Sequence, residues 1–570
     1  MAGEYQVSGT NADALFTLKL HRGDGMVLLA MNWKRGTPPA DFVGFAIEYK
    51  EPNGDKFYPL KNRLSFPGPG GALDPNQKSS RLSPIQKFRW VHFPRNAELD
   101  GEFVYKVSPV FMNGAGELSY GESQRVGIEL RRETYPRQLN VAFTRGFVSS
   151  QAFVDRFAPN GDVSKLLPAS ADKALAFAPT HPQAEAALQW MGFEAREAVL
   201  DVLDRAIADR TAQVRVVAYD LNEPGILTRL EKLGPRLKVI IDDDGAHGER
   251  GSSENQAAKR LAASAGKANV KRQHMGKLQH NKTIVASGSK IQAVVCGSTN
   301  FSWRGFFVQN NNALVLTGAS AVKPFQEAFD AYWNNDEARG FGSTASAEWK
   351  KLGLKGIRAE VAFSPHSSSN ALLKAIVDDI RENVTSSMFY SLAFLYQTPG
   401  ALLEAIKEVT ADDARFVYGI SDRKVGGLDL QKPNGNVAPV FPQALAQAVP
   451  EPFKSEPTGG GGVRMHHKFV VIDFDKPTAR VYLGSYNFSS TADRKNGENL
   501  LLIRDRRVAV SFVVQALTMF DHYHFRIAEA EADAAGHRLF LKTPPQAGEE
   551  PWWSAYYRDP RKVRDRELFA

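Results

Sequence analysis

The chain nearly lacks cysteine: Cys296 stands alone among 570 residues. A single thiol can form neither an intrachain disulfide nor a cysteine-based zinc site. Its place at the end of the apolar run 293–296 reads as a buried strand position rather than a reactive one. Long apolar runs are missing too, since none approaches the ~18 residues of a membrane-spanning helix. The opening Met1-Ala2-Gly3-Glu4-Tyr5 has neither the basic start nor the apolar stretch of a secretory signal. These absences set the expectation of a soluble cytoplasmic protein. A strong charge bias is also lacking. A net charge of +8 over this length suits an anionic partner and equally suits plain solubility. Apolar content of 43% and charged content of 24% are ordinary for a globular chain, and the length leaves room for two or three domains.

What is present is a repeated constellation. His466-His467-Lys468 leads into the apolar run 469–472 and Asp473, followed by Gly484-Ser485-Tyr486-Asn487 and Asn496-Gly497-Glu498-Asn499. On an extended chain His466 and Lys468 share a face, with His467 on the other. The pattern also occurs earlier, as His280-Asn281-Lys282 with the run 283–286 and Ser287, then Gly297-Ser298-Thr299-Asn300 and Gln309-Asn310-Asn311-Asn312. An imidazole beside a fixed ammonium and an amide suits attack on a phosphodiester. The cation and amide hold the non-bridging oxygens, and the imidazole carries the covalent or proton step.

Two HxK blocks, each followed by GSxN, resemble the phospholipase D superfamily, whose signature is HxKx4D followed by GSxN, present twice per active site. The wording is similar to its nuclease and cardiolipin-hydrolase-like branches, and the resemblance spans residues 140–540. It implies an α/β fold made of a duplicated α-β-α unit with pseudo-twofold symmetry and one active site at the seam. The spacing agrees: His280 and His466 are 186 positions apart, Gly297 and Gly484 187 apart. Halves at 138–345 and 357–540 each alternate strands and helices. The first has a helix at 183–206, strands at 214–219 and 237–241, and a helix at 226–233. The second has helices at 372–380 and 401–409 and strands at 388–395 and 415–420. The Asp242-Asp243-Asp244 turn after 237–241 reads as solvated, with no metal called for. Residues 423–449 read as an irregular lid-like insertion. Gly459–Gly462 reads as either a mobile rim or an inert connection.

Ahead of the halves, residues 1–130 read as all-β. Phe45, Ile47 and Tyr49 alternate on one strand, Phe103, Tyr105 and Val107 on another, with turns at 51–55 and 113–116. With Trp33 these strands resemble a fibronectin type III-like, immunoglobulin-like sandwich, whose protein partner is unknown. Residues 131–136 read as a hinge. The tail 541–570, with Trp552-Trp553 and Tyr556-Tyr557, reads as packing onto the domain before it, or else as a base-stacking or membrane-interface segment.

The expected catalytic residues are His280, Lys282, Asn300, His466, Lys468, Asp473, Asn487 and Glu498, with Ser298, Ser485 and Asn311 binding substrate and no metal or cofactor. Asp473 and Glu498 stand where the superfamily has acids. The first half has Ser287 and Asn311 there instead. A carboxylate stabilises imidazolium far better than an amide does. The expectation is therefore that Glu498 backs His466 as general acid while Asn311 backs a neutral His280 as nucleophile, giving a phosphohistidine. A similar amide/acid asymmetry occurs in the tyrosyl-DNA phosphodiesterases of this superfamily. Phospholipid and nucleic acid both stay open as substrates; Lys267, Lys271, Arg272 and Lys277 ahead of His280 and Arg464 beside His466 are compatible with the latter, and a Gly-rich lid at Gly459–Gly462 with the former. A non-catalytic scaffold with a decayed first half-site is the third reading.

Overall fold

The computed structural model describes the chain apart from residues 1–3, 69–77, 95, 131–132, 147–152, 154–155, 158–164, 367–368, 398, 424–426 and 441–464. Four strands, Gln6–Ser8, Phe16–Gly23, Met26–Trp33 and Arg89–His92, form one N-terminal sheet. A second is built from Tyr58–Pro59, Phe42–Lys50, Glu102–Met112, Leu118–Tyr120 and Gln124–Glu129. Alternation explains why the two close on each other: Phe16, Leu18 and Leu29 of the first share one core with Phe45, Ile47, Tyr105 and Val107 of the second.

From Leu139 onward the chain builds two larger sheets. The first runs Leu139–Phe143, Asn312–Thr317, Gln292–Gly297, Lys282–Ser287, Gln213–Ala218, Leu237–Ile241, Val270–Arg272. The second contains Arg358–Ser364, Glu498–Arg504, Arg480–Gly484, Phe469–Ile472, Ser387–Ala393, Phe416–Asp422 in that order. Across these six positions every pairing has the same sense in both sheets: four antiparallel steps, then a parallel one. Alternate residues feed different cores. Ile284 and Ala286 face an outer core shared with helices Ala184–Ala208, Pro224–Leu233 and Ser253–Ala265, whereas Val285 joins an inner core. That inner core takes side chains from both sheets and from the long helices Ala319–Asn334 and Arg506–Ala534. Helices Ala371–Asn383 and Ala401–Thr410 cover the second sheet's outer face.

Two expectations change here. Residues 428–440 are not irregular: Leu428–Gln431 and Val437–Val440 pair antiparallel and extend the second sheet beyond Phe416–Asp422. Residues Thr134 and Tyr135 are no hinge either. Thr134 is buried and donates to Asp24, and the Tyr135 hydroxyl donates to Asp505 at 2.7 Å. Arg131 and Arg132, Gly459–Gly462 and Arg464 lie outside the described residues.

The N-terminal sheets are fastened to the rest. Buried Asp24 accepts from Thr134 at 3.0 Å and from Ser511 on the long C-terminal-half helix at 2.6 Å. Arg89 bridges the carboxylates of Asp521 and Asp565. The tail residues Trp552, Trp553, Tyr556 and Tyr557 pack against the N-terminal core, and the Trp552 indole N–H donates to Phe42 O at 2.9 Å. Among the described residues no helix is long and apolar enough to cross a membrane.

Candidate active site

Each HxK block enters a strand from the seam between the two large sheets. The chain just before it crosses to the other half: Gln279 bridges Gly497, and Met465 bridges Asn310. The same exchange recurs in side chains, with Asn499 donating to Asn281 Oδ1 at 2.9 Å and Asn312 lying 3.1 Å from His467 Nδ1. His467, on the opposite face from His466 and Lys468, is wholly buried and ties the halves together. Gly297 and Gly484 open the two GSxN turns at φ 130° and 146°. A Cβ there would stand 2.6 and 2.3 Å from the carbonyl oxygens of Asn312 and Asn499, so only glycine fits.

These crossings bring the two imidazoles to 6.3 Å between ring centroids. His280 Nδ1 lies 2.8 Å from Glu498 Oε2, and His466 Nδ1 lies 2.8 Å from Asn311 Oδ1 and 3.0 Å from Ser298 O. The expected pairing is therefore reversed. Glu498 backs His280, and Asn311 backs His466, because each backing residue reaches the histidine of the opposite half. Register within one half could not show this, since the partners meet only at the seam. In both cases Nδ1 faces acceptors: Glu498 and the Ser485 carbonyl for His280, Asn311 and the Ser298 carbonyl for His466. Nδ1 therefore carries the proton, and each neutral ring keeps its Nε2 lone pair free.

Lys282 and Lys468 are buried, and each ammonium donates to the carbonyl of its own block's histidine, at 2.6 and 3.0 Å. Burial pulls Lys282 down to about 8 and Lys468 well below the usual lysine range. Burial together with these two ammoniums also holds both imidazoles well below 6.5. Glu498 is pushed up to about 7 by burial, opposed by Lys282. Such a site is short of negative charge, and a bound phosphodiester would supply it.

The remaining expected residues fall into two groups. Ser298 donates to Asn311 Oδ1 at 2.9 Å, and Ser485 hydrogen-bonds Glu498, so both serines support the backing groups. Asn300 gives one amide hydrogen to Asp220 at 2.7 Å and keeps a second; Asn487 is half-buried after its strand. Asp473 is elsewhere. It sits at the far end of Phe469–Ile472 from Lys468, roughly 16 Å along an extended chain. There its carboxylate accepts from the backbone of Thr385, Ser386 and Ser387 and from the Thr385 hydroxyl. It fastens the neighbouring strand rather than facing the histidines.

The Asp242 turn is likewise corrected: Asp242 is fully buried, accepting from Gln279 N at 2.6 Å and from His247 at 2.8 Å. His247 also contacts Asp220 at 3.1 Å, and the two carboxylates lift it to about 10. Asp220, His247 and Glu254 stand close enough to suggest a metal cage. Both nitrogens of His247 are already engaged by carboxylates, so the array reads as an ion-pair chain that fixes Asn300 through Asp220. Sequence reasoning missed Asp220 and His247. Nothing in a single copy of the motif marks them. Lys271 and Arg272, expected to face substrate, are committed instead, Lys271 to Trp333 O and Asp336 and Arg272 to the carbonyls of Ile241, Asp242 and His247.

Comparison with known proteins bears on the family of the chain. The family model described as "Cardiolipin synthase, PLD-like domain" matches residues 190–333 and 381–522, together half of the chain. Phospholipase D of Rickettsia prowazekii is 44% identical over 48 residues, covering 8% of this chain and 22% of that protein. That of Rickettsia felis is 42% identical over the same length and shares. The chain thus spans about a fifth of the curated relatives it matches. Among solved structures, phosphatidylserine synthase of Haemophilus influenzae is 13% identical, with 65% of this chain and 92% of that one covered and a TM-score of 0.39. Nuc of Salmonella typhimurium, a phospholipase D family member, is 25% identical over 25% of this chain and 88% of its own, with a TM-score of 0.20.

Proposed function

Because the chain belongs to the phospholipase D-like domain family, we propose that it is a metal-independent phosphodiesterase working through a covalent phosphohistidine. The observation that carries this is the crossed backing of the two histidines, which equips them for different halves of one reaction. His280 Nε2 attacks phosphorus. The bond to the leaving oxygen breaks, and that oxygen takes a proton from His466 Nε2. Phosphorylated His280 is an imidazolium, with Nδ1–H still held by the Glu498 carboxylate, so the charge that must persist in the intermediate has a counter-ion beside it. His466, backed only by an amide and a carbonyl, gains no such stabilisation when protonated and gives its proton up readily. In the second step water passes a proton to His466 and attacks phosphorus, the P–N bond breaks, and neutral His280 is restored.

His280 thus keeps the nucleophile's role, on different grounds from those first expected. Lys282, Lys468, Asn300 and Asn487 hold the non-bridging oxygens. A bound phosphate anion offsets the two ammoniums and raises the pKa of His466, so the acid becomes protonated when substrate arrives. We further take the halves as related by a pseudo-twofold axis and the N-terminal sheets as a fibronectin type III-like unit, in a cytoplasmic protein. The substrate is a phospholipid or nucleic acid diester.

The test is a parallel assay in EDTA of the protein and His280→Ala on labelled phosphatidylcholine, cardiolipin and single- and double-stranded DNA. EDTA-insensitive cleavage of any of these, lost in the variant, supports the reading. Turnover that vanishes in EDTA, or that survives in His280→Ala, contradicts it.

A further inference from the structure

A cleft of about 1260 Å³ opens where the N-terminal sheets meet the two halves and the C-terminal tail. It is larger than the ~300–1,000 Å³ of an ordinary small-molecule pocket. Its walls come from four parts of the chain: Arg63 and Trp90 from the N-terminal sheets, Arg145 and Trp190 from the first half, Phe525 from the long helix of the second, and Lys562 from the tail.

Charge on these walls is one-sided. Seven lysines and arginines line the cleft against one carboxylate, Asp521, which Arg89 already engages. Among the described residues, Lys61, Arg63, Lys87, Lys542 and Lys562 make no ion pair. Lys87 is held below its usual range by burial, and the exposed Arg63 donates to a neutral His522 at 3.4 Å. Cations left unpaired in a partly desolvated cleft gain on meeting an anion.

The cations alternate with aromatic faces. Arg63 lies 5.0 Å from the Phe525 ring, Arg145 4.9 Å from Trp190, and Lys562 5.4 Å from Tyr556. Trp90, Trp190, Phe525 and Tyr556 are all half-buried, leaving ring surface for a ligand. An acyl chain would want an unbroken apolar wall. A backbone of regularly spaced phosphates carrying flat bases would want cations with stacking faces between them.

We propose that this cleft is a second binding site, separate from the two histidines, that takes single-stranded nucleic acid. It gives the N-terminal sheets and the tail, which supply nothing to the chemistry, a shared task. Its inner edge also reaches the catalytic seam. Thr144, next to Arg145, exchanges hydrogen bonds with the backbone of Asn311, the residue that holds His466. The inference goes beyond the catalytic reading, because binding is measured without turnover.

The test uses the full chain and a fluorescein-labelled oligothymidylate of about 20 nucleotides, followed by anisotropy across a salt series in EDTA. His280→Ala serves as the uncleaving background. Lys61, Arg63 and Lys542 are exposed, so Lys61→Glu, Arg63→Glu and Lys542→Glu together should leave folding intact. The triple variant is expected to raise Kd at least tenfold and to lower the log–log salt slope by about 2, at ~0.7 per phosphate contact. In the otherwise wild-type chain, the same triple should leave hydrolysis of bis(p-nitrophenyl) phosphate, which needs only the histidine site, unchanged. Equal binding by triple and parent overturns the proposal. So does triple-sensitive binding of anionic phosphatidylglycerol vesicles with no oligothymidylate binding, which would make the cleft a lipid site. Absence of small-substrate hydrolysis in the wild-type chain would count against the catalytic reading and leave the binding result to stand by itself.

Discussion

His280 Nδ1 meets Glu498 Oε2 at 2.8 Å across 218 positions of sequence, and both side chains are buried in the seam between the two large sheets. The first imidazole is thereby governed by the second half's carboxylate, and the second imidazole by the first half's amide.

Replacing Glu498 by Gln keeps the shape and removes the counter-ion of the phosphorylated ring. The expected result in single-turnover kinetics is a fall of about 10²-fold or more in the rate of enzyme phosphorylation. A rate within twofold of wild type would show that the carboxylate only orients the ring.

Asn311→Asp should act within that same step, on protonation of the leaving group. A carboxylate behind His466 raises its pKa and makes it a poorer acid. Substrates with an alkoxide leaving group should slow markedly, whereas p-nitrophenyl esters, whose leaving group needs no proton, should be nearly unaffected. Measuring kcat/KM for both ester types checks the contrast.

The pH dependence follows from Lys282. Its ammonium is lowered from the ordinary 10.5 to about 8 by burial, so the charge is complete below that value and is lost as pH rises through it. Substrate binding needs the charge, and kcat/KM should therefore decline above about pH 8. Bound phosphate favours the ammonium, so the same limb in kcat should lie at higher pH. In Lys282→Arg, where the cation does not titrate, this limb should move upward or disappear.

Asp473 gives a stability prediction in place of a catalytic one. Asp473→Ala strands the N–H groups of Thr385, Ser386 and Ser387 at the start of a central strand. The expected cost is about 2–4 kcal/mol, read from denaturant unfolding, with kcat of the folded protein little changed. A kcat loss comparable to that of His466→Ala would return Asp473 to the active site.

The contrast between Asp473 and Glu498 shows what the sequence could carry. HxK, GSxN and the strand behind each are local patterns, so His280, Lys282, Asn300 and their counterparts were legible, as were the helices and strands at their 3.6- and 2-residue periods. Duplication was legible from spacing. Pairing across the seam was not. Glu498 lies in the same half as His466, and only the meeting of the two halves delivers it to His280. Asp473 follows Lys468 in the motif, yet five extended residues carry it to the other end of the strand. Asp242 read as a solvated turn because its partners, Gln279 and His247, come from separate loops. The 428–440 hairpin was hidden by Pro433 and Pro439, which suggest a loop but sit in the turn and on the outermost strand, where proline is tolerated.

The central claim is that His280 carries the phosphoryl group. His466→Ala should let a p-nitrophenyl phosphodiester phosphorylate the enzyme while slowing hydrolysis of the intermediate. Quenched protein, digested and sequenced by mass spectrometry under neutral-to-basic conditions, should then show the adduct on His280, with none in His280→Ala. An adduct on His466 in His280→Ala, or hydrolysis without any adduct, would contradict the account.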